Sequence, residues 1–400
     1  MAKPEHTGLR ILASQGTAQR LVSRRGFLGG TAVAVFGGGF LLAACGGDEG
    51  GGDNTGSGGG SGGSGGGELE DQLNFYHWAE YDDPALFEKF TDEFGPATKI
   101  DVYASNEEAI AKLQAAQGTS GYDIVVPTGV FIPLMVEQDL LEELDLSKIP
   151  NFSNLESVYA DQPWDPGNAH SVCKDWGSTG WIIDKNQIST PIATWQDFID
   201  VAMGEASGNV SLLDAPNELA GLYFWANGID WTTEDTADYD AYEDFMVNQL
   251  APHVKAFDSY PGIALTQGNY AMSQVWNGDA RQGLLAVDDA TQYEWGLGAP
   301  ATELWMDNWC VVKGAEHPEA AHAWINFILD VDNSLQDLAF HGYNTGVTGI
   351  QEKAEAQGLE FLDMVFFTDE QVATMKAGET NSSLDRQVEI YNKAKAAAGG

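Results

Sequence analysis

The chain has 400 residues, of which 60 are acidic and 19 are basic, so its formal charge at pH 7 is −41. Such an excess of carboxylates excludes nucleic acid as the main partner, because phosphate binding requires a basic face. Three cysteines are too few for a disulfide scaffold or a four-ligand zinc site, whereas 43% hydrophobic residues supply a core for one large or two medium globular domains.

Residues 1–44 have the features of an export signal. They carry five basic residues and one acidic residue, and an apolar run over 26–44 follows all of these charges. The pair Arg24-Arg25 indicates export of a folded protein by the twin-arginine route. Residues 42–45 (LAAC) resemble a bacterial lipobox, which implies that Cys45 becomes a lipidated N-terminus after cleavage. The alternative is a buried cysteine at the end of a retained anchor helix.

The stretch from Cys45 to residue 67 predicts a flexible tether, because beyond the cysteine it is composed almost entirely of Gly, Ser, Asp, Asn and Thr. Its end-to-end distance is about 25 Å. Lipid, tether and globule in this order predict a protein held at the cell surface or in the periplasm. Its membrane contact is then through the lipid anchor alone.

Without its first 44 residues the chain has 14 basic and 59 acidic residues, hence a charge of −45. Repulsion between so many carboxylates destabilises a compact protein in dilute buffer. At 1 M salt the Debye length is about 3 Å, so most surface charges no longer interact. The composition therefore favours a protein that works at high ionic strength, and the alternative is a merely acidic protein.

Strands and helices alternate at the start of the globule. Apolar and capping patterns predict strands over 73–78, 99–103 and 122–127, and helices over 84–94, 105–117 and through Leu134, Met135 and Leu140. This alternation predicts right-handed βαβ units and an α/β fold. Ligands of such sheets bind at the carboxyl ends of the strands, which lie here at 78–81 and 127–129.

Seven short segments resemble, in the same order, the spermidine/putrescine-binding proteins of ABC importers. They are 75–81 (FYHWAEY), 122–128 (YDIVVPT), 151–155 (NFSNL), 176–180 (WGSTG), 275–278 (VWNG), 305–307 (WMD) and 342–343 (GY). The resemblance implies a two-lobe periplasmic-binding-protein type II fold, with a mixed, mostly parallel sheet flanked by helices in each lobe and a ligand cleft between the lobes. It also implies a substrate-binding protein that acts as a monomer and delivers a polyamine to the permease subunits of an ABC importer.

In this fold the chain crosses between the lobes twice, and we expect the crossings near Trp176 and Asp307. The expected limits are 68–177 with 306–351 for lobe 1 and 178–305 with 352–395 for lobe 2, which add a third change of lobe between residues 351 and 352. Residues 396–400 are expected to form a frayed tail.

The chemistry of a polyamine site can be considered without the family. Ammonium groups separated by methylene runs need carboxylates at the ends and aromatic faces along the chain. Tryptophans lie beside carboxylates several times in this sequence, as Trp276 does near Asp279. Tryptophan and carboxylates also hold carbohydrate, so composition alone leaves a sugar open.

Carried over residue by residue, the resemblance assigns an aromatic box, a hydroxyl and two acids. These are Trp78, Tyr81, Trp276, Trp305 and Tyr343 for the box, Thr128 for the hydroxyl, Asp307 for the acid that meets the ammonium nearest the second crossing, and Asp214 for the acid of the second lobe. The family's Asp-x-x-Glu spacing is stretched by one residue in 214–218, which leaves Glu218 unassigned. Ala79 and Val130 depart from the family pattern, so spermidine, putrescine and another amine are not separated.

Catalysis is not expected. None of the seven histidines stands in a zinc-binding HExxH arrangement, and His317 and His322 are five residues apart, so they do not share a helix face. Phosphate-loop, dinucleotide and nucleophile-elbow motifs are absent from the sequence, and no cofactor or metal is expected. A thiol nucleophile at Cys173, near His170, and an adhesin or structural lipoprotein are the weaker alternatives.

Cys173 and Cys310 form the remaining cysteine pair once Cys45 is lipidated. Each lies three residues from a crossing position, and in the implied fold the crossing segments run close together, so a disulfide is one possibility in an exported protein. The alternative is two independently buried small apolar residues.

Overall fold

The computed structural model describes residues 10–12, 69–116, 118 and 120–399. Cys45, the predicted tether and the predicted signal peptide apart from 10–12 fall outside the described residues. Strand β1 (Arg10–Leu12) pairs in parallel with β3 (Ala97–Tyr103). Among the residues described, no helix combines the length and apolar character that are needed to cross a bilayer.

The first part of the globule alternates strands and helices, as the sequence predicts. The elements are β2 (Gln72–Trp78), α1 (Pro84–Phe94), β3, α2 (Asn106–Ala116), β4 (Ile124–Val125), a 3-10 turn (Gly129–Phe131) and α3 (Ile132–Glu137). Strand β2 lies between β3 and β4 and is parallel to both. Helix α1 begins where Asp83 accepts a hydrogen bond from the Ala85 N–H, and it ends at Gly95, whose φ of +103° suits glycine.

Two long strands connect the two parts of the sheet. Strand β5 (Val172–Asp184) and strand β10 (Thr302–Val311) are antiparallel neighbours at its centre. The strand order is β1-β3-β2-β4-β10-β5-β8-β6-β7, with β9 on β5 and β11 on β10. Four 3-10 turns connect α3 to β5: Leu146–Lys148, Pro150–Asn154, Ser157–Tyr159 and Pro166–Asn168.

The second part repeats the alternation. Its elements are α4 (Trp195–Met203), β6 (Val210–Leu213), α5 (Pro216–Asn227), α6 (Thr236–Glu243), a π-helix (Asp244–Leu250), a 3-10 turn (Ala251–His253), β7 (Val254–Asp258), α7 (Pro261–Thr266), β8 (Met272–Trp276), α8 (Asn277–Ala286), a 3-10 turn (Ala290–Gln292) and β9 (Tyr293–Leu297). Strand β6 lies between β8 and β7 and is parallel to both. Each part therefore has a parallel core, and the two connecting strands make the whole sheet mixed.

The chain after β10 is mainly helical. Its elements are α9 (Pro318–Ile328), α10 (Val331–His341), α11 (Ile350–Gln357), a 3-10 turn (Leu362–Met364), α12 (Asp369–Val372), β11 (Met375–Lys376) and α13 (Leu384–Ala397). Helix α13 continues two residues into the predicted frayed tail.

Two separate aromatic cores form, one at each end of the connecting strands. The first contains Phe75, Phe87, Phe90, Trp309 and Trp324. The second contains Trp181, Trp195, Phe198, Phe224 and Trp225. Ala354 and Val365 pack in the first core, beyond residue 351 where we expected lobe 1 to end, whereas Ile390 of α13 packs in the second core. The lobe limits stay a prediction.

Cys173 and Cys310 are both buried free thiols, so the structure contains the second alternative and not the disulfide. The register explains why. Asn308, not Cys310, lies opposite Cys173 on the paired strands, and the two thiols pack in different apolar clusters. A diagonal offset of two residues separates Cα atoms by about 7 to 8 Å, which is longer than disulfide geometry usually allows.

Candidate ligand-binding site

One face of the two connecting strands carries a row of acids and one indole. Side chains alternate along a strand, so residues two apart share a face. Strand β10 presents Glu303, Trp305 and Asp307, and the paired face of β5 presents Asp175, Gly177 and Thr179. The opposite face of β10 packs in an apolar cluster through Leu304 and Met306.

Gly177 makes room for the indole at the middle of this row. It lies opposite Trp305, and a Cβ atom built on it would be 2.5 Å from Trp305 Cζ2 and 2.4 Å from Asn277 Oδ1. The edge of Trp305 also meets Tyr343, with ring centroids 4.8 Å apart at 81°. Only glycine at position 177 allows the indole of Trp305 to lie across β5. The position of this indole therefore depends on residues of both strands.

Asp307 lies at one end of the row and accepts two hydroxyl hydrogen bonds. They come from Thr128 Oγ1 (2.7 Å) and Tyr81 Oη (2.8 Å). Asn106 orients Thr128 by donating to its hydroxyl at 3.0 Å. Burial raises the pKa of Asp307 to about 7, and the negative charge of Asp175 contributes to the shift. We call Tyr81, Thr128 and Asp307 the Asp307 end.

The Tyr81 hydroxyl also lies 2.5 Å from Asp175 Oδ1, so it bridges two carboxylates that are directly opposite each other on β5 and β10. A phenol has one proton, so the Tyr81 hydroxyl donates a hydrogen bond to only one of the two acids at a time. The other acid then has an accepting oxygen available to a positively charged donor.

A buried ion cluster lies behind the Asp307 end. Lys174 Nζ contacts Asp175 (3.0 Å), Asp82 (3.3 Å) and Asp337 (3.4 Å), and it lies 4.0 Å from the centre of the Tyr81 ring. His341 Nε2 adds a contact of 3.3 Å to Asp337.

The charges of this cluster depend on one ammonium. Burial opposes a charge on Lys174, but Asp175, Asp337 and Asp82 raise its pKa above the ordinary value. Burial also acts to raise the pKa of Asp337, yet Lys174 and His341 hold it below its usual range. Burial and the nearby Lys174 lower the pKa of His77 to about 3, so His77 is neutral and Lys174 provides the main positive charge.

The opposite end of the row is built around Glu218 at the start of α5. Glu218 Oε1 accepts hydrogen bonds from Thr179 Oγ1 (2.6 Å) and Trp276 Nε1 (2.7 Å). Asn217 Nδ2 donates to both carboxyl oxygens of Glu303, at 3.0 and 3.3 Å. Burial raises the pKa of both acids, and the charge of Glu218 raises that of Glu303 further. We call Thr179, Glu218, Trp276 and Glu303 the Glu218 end.

Tyr343 and Trp78 complete the aromatic set. Tyr343 Oη donates to Asp279 Oδ2 at 2.6 Å, and burial raises the pKa of Asp279 to about 6. Trp78 Nε1 donates to the Val126 carbonyl at 3.0 Å, two residues before Thr128. Both indole and phenol are thus fixed by hydrogen bonds at their polar ends.

The structure brings most of the predicted site residues into these two ends. Tyr81, Thr128, Trp305, Asp307 and Tyr343 are linked by direct contacts, and Trp276 contacts Glu218. Trp78 lies beside them through the strand-end segment that carries Thr128.

Asp214 is the exception. Its carboxylate accepts hydrogen bonds from Lys395 Nζ (2.7 Å) and from the Tyr391 hydroxyl of α13, and also from Ser259 (3.2 Å). Lys395 and Tyr391 occupy the acid, so the structure does not place it with the other site residues. Glu218, which the stretched spacing left unassigned, lies at the end of the row opposite Asp307, where Asp214 was expected.

Asp175 and Glu303 were missed by sequence reasoning. The signal for Glu303 was present, since it is four residues before Asp307 and two before Trp305 on a strand. Asp175 could be found only from the register of β5 against β10, which the sequence does not state.

Within the described residues no group of three or more histidine, cysteine or acidic side chains has the geometry to hold a metal ion. Carboxylate acceptors at two ends of an aromatic row instead suit organic ammonium groups.

Known proteins resemble this chain over most of its length. The family model described as bacterial extracellular solute-binding protein matches residues 85–362. The spermidine/putrescine-binding periplasmic protein of Salmonella typhimurium is 31% identical over 280 residues, which cover 69% of this chain and 77% of that protein. The Escherichia coli protein of the same name is 29% identical over 325 residues, covering 80% and 89%. A putrescine/agmatine-binding protein of Pseudomonas aeruginosa is 25% identical over 325 residues, covering 78% and 88%.

Solved structures show the same architecture. The spermidine/putrescine ABC transporter substrate-binding protein of Streptococcus pneumoniae superposes with a TM-score of 0.68 at 26% identity, covering 82% of this chain and 100% of that one. The Tp0655 lipoprotein of Treponema pallidum gives a TM-score of 0.71 at 24% identity, with the same coverage, and this likeness concerns the fold. The predicted two-lobe α/β fold of the type II binding proteins is confirmed.

Proposed function

The chain belongs to the family of bacterial extracellular solute-binding proteins, and from this we propose that it binds a polyamine, such as spermidine or putrescine, for an ABC importer. The observation that carries the proposal is the acidic and aromatic row of β10, with Asp307 at one end, Trp305 in the middle and the Glu218 end beyond it. Charge-assisted hydrogen bonds contribute about 1.5 to 3 kcal/mol each, and an aromatic face over a cation contributes about 0.5 to 2 kcal/mol. A few of each are sufficient for micromolar affinity, about 8 kcal/mol.

The ligand is expected to be an amine and not a sugar. Native mass spectrometry of the protein purified from its host is expected to show a bound amine. Calorimetric titration of the ligand-free protein is expected to give micromolar or tighter binding of spermidine or putrescine and no heat with neutral sugars. Binding of a sugar without any binding of amines would contradict the proposal and support the alternative ligand on the same fold.

We propose that the monomeric protein closes its two lobes on the amine and presents it to the permease subunits of the importer. Lobe 1 comprises 68–177 and 306–351, and lobe 2 comprises 178–305 and 352–395. Each end of the row can bind only one ammonium group of a polyamine. Ligand binding therefore favours the closed form, in which both ends contact the same molecule. As a binding component, the protein supplies no catalysis in this proposal.

The route to the membrane is a further part of the proposal. The twin arginines Arg24-Arg25 direct export of the folded chain, and Cys45 then carries the lipid that anchors it to the membrane. The stretch up to residue 67 lets the globule move near the membrane surface.

The charge of the mature chain supports a protein adapted to high salt. With a charge of −45 after residue 44, the melting temperature is expected to rise from dilute buffer to molar KCl, because screening reduces repulsion between surface carboxylates. Differential scanning calorimetry tests this. A neutral osmolyte at equal osmolality is the control, since it adds preferential exclusion without screening. A melting temperature that stays flat or falls in KCl would rule out the adaptation and leave the binding function intact.

A further inference from the structure

The second-lobe acid that sequence reasoning expected is not free to hold a ligand, because Lys395 and Tyr391 occupy Asp214. An extended cation held at Asp307 still needs a negative partner at its far end. Glu303 lies on the same strand and the same face as Asp307, four residues away.

Glu303 is built into the Glu218 end and is almost completely buried, with 3% of its surface exposed. Its hydrogen-bond donor is the side-chain amide of Asn217, and no lysine or arginine forms an ion pair with it among the described residues. Glu218 is 1% exposed, and no amide, indole or alcohol of the described residues donates to its buried Oε2 atom. The carboxyl groups of Glu218 and Glu303 hydrogen-bond each other, so an arriving ammonium group replaces the proton that the two acids share. The two neighbouring buried acids thus receive hydrogen bonds from one amide, one hydroxyl and one indole N–H, all of which are uncharged.

The separation of the two acids on β10 limits the length of the ligand. Four residues of strand span about 13 Å. An extended chain covers about 1.2 Å per bond, so the end nitrogens of spermidine, nine bonds apart, are separated by about 11 Å, and those of putrescine, five bonds apart, by about 6 Å. A triamine reaches from one acid to the other, whereas a four-carbon diamine reaches only half of the way.

We propose that Glu303 and Glu218 together form a second ammonium subsite, and that Glu303 determines a preference for a triamine of spermidine length over a four-carbon diamine. This inference rests on the proposed polyamine function and names the ligand class within it. The middle of the triamine lies along Trp305, and its ends meet Asp307 and the Glu303–Glu218 pair.

The Glu303→Gln variant tests the inference with spermidine and putrescine as the probes. It keeps the shape of the side chain and removes its ability to ionise when the ammonium group arrives. Calorimetric titration is expected to show wild-type protein binding spermidine more tightly than putrescine. In the variant, spermidine affinity is expected to fall by about tenfold or more, and putrescine affinity by less than about threefold. Asp214→Asn is the matched control, because it neutralises an acid held by Lys395, and neither affinity is expected to change.

Proton release gives a second measurement. An arriving ammonium group lowers the pKa of the acids that face it, namely Glu218 of α5 and Glu303 and Asp307 of β10. Titrations in two buffers that differ in protonation enthalpy are expected to show proton release on spermidine binding, and less release in Glu303→Gln. A thermal melt of the ligand-free variant checks that it is folded.

The outcomes separate the two proposals. Equal losses for both amines, or unchanged spermidine affinity in a folded Glu303→Gln protein, would overturn the assignment of Glu303 while the polyamine function stands. Wild-type protein that binds putrescine more tightly than spermidine would overturn the length argument. Wild-type protein that binds no amine would overturn both proposals.

Discussion

Replacing Lys174 with methionine is expected to lower the free energy of unfolding by about 3 to 5 kcal/mol, as when one partner of a buried ion pair is removed. Its ammonium lies within 3.4 Å of three carboxylates, those of Asp82, Asp175 and Asp337. Methionine fills a similar volume but leaves these acids without their shared cation. Since Lys174 also packs over the Tyr81 ring, the loss extends to the Asp307 end.

Urea unfolding of the ligand-free protein at pH 8 measures this loss. Lys313→Met is the matched control, because Lys313 forms ion pairs of 3.4 and 3.2 Å with Asp139 and Glu142 but its side chain is partly exposed to solvent. Its loss is expected to be below about 1 kcal/mol. Unpaired buried acids have raised pKa values, and a raised acid pKa makes stability fall as pH rises, so the Lys174→Met protein is expected to recover stability on acidification. Equal losses for the two lysines would show that the cluster is not a buried charge network.

Local patterns were sufficient to predict the first βαβ units. The Asp83-Pro84 start and Gly95 end of α1 are set by capping and by backbone conformation, which depend on neighbouring residues. The strand preceding Trp78 and the segment that carries Thr128 were likewise placed by their apolar runs. Because the carboxyl ends of these parallel strands share one edge of the sheet, Tyr81 and Thr128 were correctly expected to lie together.

Contacts between segments that are far apart in the sequence could not be predicted from local patterns. Asp214 is removed from the site by Lys395, 181 residues later in the chain, and no local pattern indicates that helix α13 packs there. Asp175 reaches Asp307 only because β5 and β10 pair in one register, and a one-residue shift would turn it to the opposite face. Directly after Asp307 the register shifts by one residue, and in the shifted register Asn308 and not Cys310 lies opposite Cys173. The acids of the site were therefore harder to predict than its aromatic residues.

Replacing Asp307 with asparagine is expected to lower amine affinity by about tenfold to a hundredfold, the equivalent of one charge-assisted hydrogen bond of about 1.5 to 3 kcal/mol. Asparagine keeps the shape of the side chain, so the contacts to Thr128 and Tyr81 can largely persist. The charge that pairs with the ammonium is lost. Calorimetric titration with spermidine at pH 8 measures the effect, and Asp214→Asn again serves as the control. Unchanged affinity in a folded Asp307→Asn protein would show that the site lies elsewhere.

The pH dependence of wild-type binding tests the same carboxylate without a mutation. Burial and the charge of Asp175 raise the pKa of Asp307 to about 7, so the carboxyl is ionised above this pH and neutral below it. The primary ammonium groups at the ends of spermidine, with a pKa near 10, keep their charge throughout this range. Spermidine affinity is therefore expected to fall as the pH is lowered through about 7, by up to about tenfold per pH unit. In the Asp307→Asn protein this step is expected to become smaller, and the remaining pH dependence comes from the Glu218 end, whose two acids also have pKa values raised by burial. An affinity that is constant from pH 8 to pH 5.5 in the wild-type protein would mean that Asp307 does not carry the charge that holds the amine.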